Sequence, residues 1–399
     1  MKKTKARIFF IFLAGIVLSF LIVISLNNPS NHSLISLEDD LGKKIEEQLK
    51  NFDFSNINDL ISNLFNNSED NFFGNLSFAE KVELLLKGEY DFSFSTILNI
   101  IFNGLLYTIK QSLPIFCTVG AIAILGNILS NIKNDQNESI KNLINIIIYS
   151  LIAIITISFV IKIGDITIQT INSVKSVFDI IFPILLTLML TVGSTVSIGL
   201  YKPILAILSE GIILISTNIL IPIFKFSLIF AVVGNLSSNV KLSKFSKFFS
   251  TFFNYIVGFS FTAFTSLIAI FGVHAGTFDG LSVRTAKYAI KSYIPIVGGY
   301  LSDGINLILA GSVLIKNSVG LAGLLLLISI VITPIISVII FRLCLDLLSS
   351  ILEPIVDKSI SNLISDISKN LTILLAILVS MSFMYIIITS LIICSSNVF

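Results

Sequence analysis

The sequence predicts an all-α, polytopic integral membrane protein with about seven transmembrane helices after an N-terminal signal or anchor segment. Three observations carry this. Of 399 residues, 54% are hydrophobic and only 13% are charged, whereas a soluble domain carries about a quarter charged residues. Mean hydropathy is +0.95, so the chain holds far more apolar surface than one core can bury. Finally, apolar runs of span length recur from about residue 112 to the C-terminus.

The leader, residues 1–26, sets Lys2, Lys3, Lys5 and Arg7 before an apolar run at 8–26. A basic n-region before an apolar h-region reads as a signal peptide, favoured over a retained anchor. Either form places the chain from residue 27 onward outside the cytoplasm, because basic flanks stay inside. Residues 27–91 are polar and acidic. Apolar residues recur there at helical spacing in LGKKIEEQLKNF (Leu41, Ile45, Leu49, Phe52) and FAEKVELLLKG (Phe78, Val82, Leu85). Short amphipathic helices on Asn/Ser-rich linkers, or a loosely ordered leader, both fit that pattern.

Residues 92–399 form the expected membrane domain. Residues 92–110 read as an interfacial helix leading into a first span at 112–129, and 131–141 as a polar loop. Spans are expected at 143–161 and 180–200, separated by an amphipathic stretch at 164–179. Residues 203–236 are too long for one straight span and carry Pro222 and Lys225 at their middle. Proline breaks the helical hydrogen-bond ladder, so a tight hairpin or re-entrant pair is expected there. The next loop carries Lys241, Lys244 and Lys247 without an acid, which places it in the cytoplasm. Further spans are expected at 248–271, 319–341 and 371–394. Between them, 303–316 reads as a second apolar helix, and 342–369 as amphipathic with Arg342 and Asp346 spaced for an i,i+4 ion pair.

Composition also excludes classes of function. A net charge of +2 gives no argument for nucleic acid. Cys117, Cys344 and Cys394 lie in or beside apolar runs without near partners, as small packing residues do. His32 and His274 have no ligand-spaced companions. No P-loop, G-x-S-x-G or H-E-x-x-H motif occurs. The sequence therefore points to no enzyme, cofactor or metal.

Two places could carry function. Glu210 lies several residues inside the apolar run ILAILSEGIILIS. An ionised carboxylate in hydrocarbon is costly, so it reads as lining a pathway or subunit contact, or as a structural hydrogen bond. The second place is the least apolar part of the C-terminal two thirds, residues 272–320. It holds Asp279, Arg284, Lys287, Asp303 and Lys316 and is rich in glycine. Asp279, Arg284 and Lys287 read as a polar network at a gate, pore or docking surface, or as a helix cap with snorkelling cations. A helix is expected over 282–293, ended by Pro295.

Within that stretch, TFDGLSVRTAK (277–287), IPIVGG (294–299) and SVLIKNSVG (312–320) closely resemble the signature region of the stage III sporulation protein AE family. Similarity continues more weakly back to about 161 and on to the C-terminus, and little of it precedes about 103. The resemblance implies the large polytopic subunit of a channel-like or secretion-like complex in the mother-cell membrane around the forespore. It further implies partners: the other stage III sporulation A-operon proteins, among them a separate ATPase, and stage II sporulation protein Q on the forespore side. Residues alone also allow a stand-alone secondary transporter or a non-conducting scaffold.

Overall fold

A computed structural model describes residues 53–65, 76–89, 94–132, 138–236, 243–272, 279, 284–285, 287–289, 291–292 and 298–395. The expected leader, the helix over 41–52 and Pro295 lie outside the described residues. Among these residues all regular structure is helical: α1 Ser55–Phe65, α2 Phe78–Lys87, α3 Phe94–Ile132, α4 Glu138–Thr191, α5 Thr195–Ile215, α6 Ile221–Leu236, α7 Ser243–Gly272, α8 Gly298–Leu352 and α9 Lys358–Ser395. Six stretches are long and apolar enough to cross a membrane: Ile101–Ser130, Asn142–Thr191, Thr195–Asn235, Phe245–Ile270, Gly304–Leu352 and Lys358–Ser395. The chain is an all-α, polytopic membrane protein, and beside the expected count of about seven the described residues hold six long apolar helical stretches, in which neighbouring runs fuse.

The expected helix at Phe78 forms as α2. The Ser77 side chain accepts from the Glu80 N–H, and the Glu80 carboxylate accepts from the Ser77 N–H at 2.7 Å. This reciprocal pair satisfies two amides that a helix start otherwise leaves bare. Phe78, Val82 and Leu85 are buried, and α2 packs on α8 while α1 packs on α4.

The amphipathic stretch expected at 164–179 does not separate two helices. α4 runs unbroken for 54 residues, about 80 Å at the helical rise. The apolar periods on either side stay in phase, so one buried face continues through Thr167, Ile171, Val174 and Phe178. The helix stops instead at Gly193, whose φ of 84° only glycine adopts freely. The Gly193 N–H donates to the Leu190 carbonyl at 2.9 Å and the Ser194 N–H to Met189 at 3.0 Å. That pairing closes the helix and turns the chain back. The span expected at 180–200 is thereby divided between α4 and α5.

The hairpin expected at 203–236 is also absent. α5 passes into α6 through a π-helical turn, Ser216–Leu220. There the Ile221 N–H reaches the Ser216 carbonyl, one residue further back than in an α-helix. The widened turn makes room for Pro222, whose ring would otherwise press on the preceding turn. Residues 94–110 likewise continue across Pro114 as part of α3, and 303–316 and 319–341 are one helix, α8. The expected ion pair forms, with Arg342 Nε 3.8 Å from Asp346.

Side-chain contacts fix the register. Phe159 stacks on Phe341 at 4.1 Å and Ile181 abuts Gly323, so α4 and α8 are antiparallel. Thr108 meets Ser337 at 3.1 Å and Phe116 packs on Phe341 at 5.1 Å, so α3 is parallel to α8. α9 returns along α8, with Ser349 bonded to the Ser361 carbonyl near the turn and Ile393 against Gly320 at the far end.

Three helices share one charge-free layer. Residues 248–272 of α7, 317–341 of α8 and 370–395 of α9 contain no Asp, Glu, Lys or Arg, a length of about 37 Å. Their ends coincide on one side. Ser227 joins Ser246 and Asn370, and Ser368 bonds the Arg342 carbonyl at 3.2 Å. Lys247, Arg342 and Lys369 therefore mark one border. A layer this long matches the hydrocarbon core with its borders. Beyond that border the α3 and α4 helices carry further exposed apolar side chains, Leu125, Leu129, Leu143 and Ile147 among them. The Gly193 turn and Asp279 then lie on the opposite side.

Candidate functional site: a polar cap at the far end of the bundle

α5 starts without help from its own sequence. Ser194 occupies the N-cap position, but its side chain makes no capping bond. The bare amides are taken by Asp279, 2% exposed. Asp279 Oδ1 accepts from the Val196 N–H at 2.9 Å and Oδ2 from the Ser197 N–H at 3.1 Å. A carboxylate at a helix N-terminus gains both from the hydrogen bonds and from the helix dipole. The small polar run at 193–197 is thus the seat for the signature stretch.

Lys316 does the converse. It is fully buried, and its Nζ donates to the Ile393 carbonyl at 2.7 Å. The cation caps the last turn of α9, where the dipole favours positive charge. The Gly320 position, one turn on, lets Ile393 come close: a Cβ built at Gly320 would lie 2.4 Å from Ile393 Cγ1. An acid at one helix start and a base at another helix end therefore tie the segment that begins at Asp279 to α5 and α9.

Of the alternatives for Asp279, Arg284 and Lys287, the Asp279 contacts match a helix cap. Each Asp279 oxygen accepts from an α5 amide, Arg284 is exposed and Lys287 is half-buried. Residues 284–285, 287–289 and 291–292 are helical, within the expected 282–293 helix. The Asp303 side chain lies outside the described residues, although its backbone belongs to α8.

Glu210 stands apart from this cap. Its Oε2 accepts from Lys175 Nζ of α4 at 2.8 Å, and the side chains are 54% and 30% exposed. The neighbouring Ser209 hydroxyl pairs with the Tyr385 hydroxyl at 3.1 Å. Tyr385 is near the middle of the charge-free run of α9, so the ion pair sits at mid-depth. Sequence reasoning finds Glu210 and misses Lys175, which is distant in the chain and belongs to the stretch expected to separate two spans. Asp179 lies one turn from Lys175 on α4. Lys175→Glu would therefore gather three carboxylates and is expected to lower the amount of inserted protein. Adding Glu210→Lys restores an opposed pair and should recover it, as quantified by immunoblotting of membranes.

Comparison with known proteins agrees with this geometry. The model of the family "Stage III sporulation protein AE" matches residues 76–396. The match begins earlier than about 103, taking in α2. The stage III sporulation protein AE of Bacillus subtilis (strain 168) is 25% identical over 280 residues, covering 69% of this chain and 70% of that protein. No solved structure matches the chain. Because the family match runs from α2 through the Asp279 and Lys316 caps to the end of α9, the chain belongs to the stage III sporulation protein AE family.

Proposed function

We propose that the chain is the polytopic membrane subunit of a channel- or secretion-like complex required during endospore formation, seated in the mother-cell membrane around the forespore and needed for late forespore gene expression. The observation that supports this most is the family match across the whole membrane domain, residues 76–396. In this reading the chain supplies membrane-embedded structure and no catalysis, and a separate ATPase supplies energy. The other partners are the remaining stage III sporulation A-operon proteins and stage II sporulation protein Q on the forespore side. The helical stretch bearing Arg284 and Lys291, both exposed, is the docking surface on the extracytoplasmic side.

The test is capture of the tagged chain from sporulating cells after crosslinking. The expected result is recovery of the ATPase and the neighbouring membrane proteins. Arg284→Ala should lower that recovery several-fold without lowering the amount of the chain, since insertion is set by the flanking apolar helices. Recovery of the chain alone, from cells in which the other proteins are made, would favour a stand-alone transporter.

A further inference from the structure

The outer face of α4 carries a polar stripe where the rest of the bundle is most apolar. Lys162, Asp165, Gln169, Asn172, Ser176 and Asp179 are all exposed. Their spacing of three and four residues puts them on one side of the helix, over about 25 Å. Two contacts bracket the depth. Phe159 stacks on Phe341, at the border of the charge-free layer, and Ile181 abuts Gly323, near its other side. Phe178, inside the stripe, packs on Tyr385 at 5.2 Å. The stripe therefore spans the layer in which α7, α8 and α9 hold no charge. The Lys175–Glu210 pair adjoins it at mid-depth.

Hydrocarbon is a poor environment for this face, because each ionised group there is costly and an exposed amide loses its hydrogen bonds. A second copy in the same membrane orientation is also a poor neighbour. Across a twofold axis normal to the membrane, Lys162 would meet Lys162 and Asp179 would meet Asp179. Water tolerates both signs and satisfies every donor and acceptor on the stripe. We propose that the α4 stripe, with Glu210 of α5, borders a hydrated passage through the membrane that admits water and small hydrophilic solutes. With Lys162 and Lys175 set against Asp165, Asp179 and Glu210, the face carries little net charge and imposes little selection by sign. The inference rests on the membrane placement and not on the sporulation reading.

The test is thiol accessibility in the full chain, in membranes of the organism that makes it. Cys117, Cys344 and Cys394 are first replaced by alanine. Gln169→Cys, Asn172→Cys and Ser176→Cys are then compared with Phe259→Cys. Phe259 is 75% exposed on α7 and lies near mid-depth, two residues from Phe261, which stacks on Phe383 of α9. The probe is methanethiosulfonate ethyltrimethylammonium, applied to both sides of membrane vesicles. Only a thiolate in contact with water reacts well, so the stripe thiols should react at least about tenfold faster than Phe259→Cys. Labelling after denaturation confirms that every thiol is present. Equal rates at all four positions would overturn the proposal, whether all are covered or all lie outside the membrane. Because the readout is chemical, it stands or falls separately from any spore count.

Discussion

Asp279→Ala is expected to be the most damaging single change at the polar cap. It removes both acceptors that serve the Val196 and Ser197 amides, and Ser194 offers no side-chain substitute. Hydrogen bonds to a charged group contribute about 1.5–3 kcal/mol each, and N-cap losses run to about 2 kcal/mol. With overlap between the two effects, a loss of about 2–4 kcal/mol is expected. Asp279→Asn should fall between. Its carbonyl can serve one amide, while its NH2 faces the other and the charge facing the helix dipole is gone. Thermal unfolding of the purified protein in detergent checks the order Asp, Asn, Ala. Equal midpoints for all three would mean that the signature stretch is not held by α5.

The second large effect is expected at Gly320→Val. A Cβ alone would lie 2.4 Å from Ile393 Cγ1 and 2.8 Å from its Cδ1, and Ile393 is buried. Overpacking of this kind costs about 1–3 kcal/mol. Separating α8 from α9 here also draws Lys316 from the Ile393 carbonyl, and a buried ammonium without its acceptor adds to the cost. Truncating the neighbour should relieve the clash, so Gly320→Val with Ile393→Ala is expected to be more stable than Gly320→Val alone. The same thermal measurement decides it. Failure of that rescue would place the role of Gly320 in the backbone, away from this contact.

Much of the fold was legible because it is local. The helical spacing of Phe78, Val82 and Leu85, the apolar runs and the Arg342–Asp346 spacing all arise from short-range chemistry. The misread parts share one cause, which is that membrane helices here outlast their apolar runs. Residues 164–179 read as an amphipathic stretch between two spans because their outer face is polar, yet their inner face continues the buried stripe of α4. Pro222 looked like a hairpin, yet a π-helical turn absorbs it. Each misreading altered the crossings between 143 and 236. The partners of the site residues were not legible. Asp279 meets amides more than eighty residues earlier, Glu210 meets Lys175 from another helix, and Lys316 meets a backbone carbonyl of α9, none of which leaves a local signature.

The central claim is that this membrane protein serves endospore formation. Its most direct test is deletion of the gene in the bacterium that carries it, followed by counting heat-resistant spores and reading a late forespore reporter. The account predicts that the reporter stays silent, that heat-resistant spores are lost, and that the full chain expressed from another locus restores both. Normal spore counts and normal reporter activity in the deletion strain would contradict it.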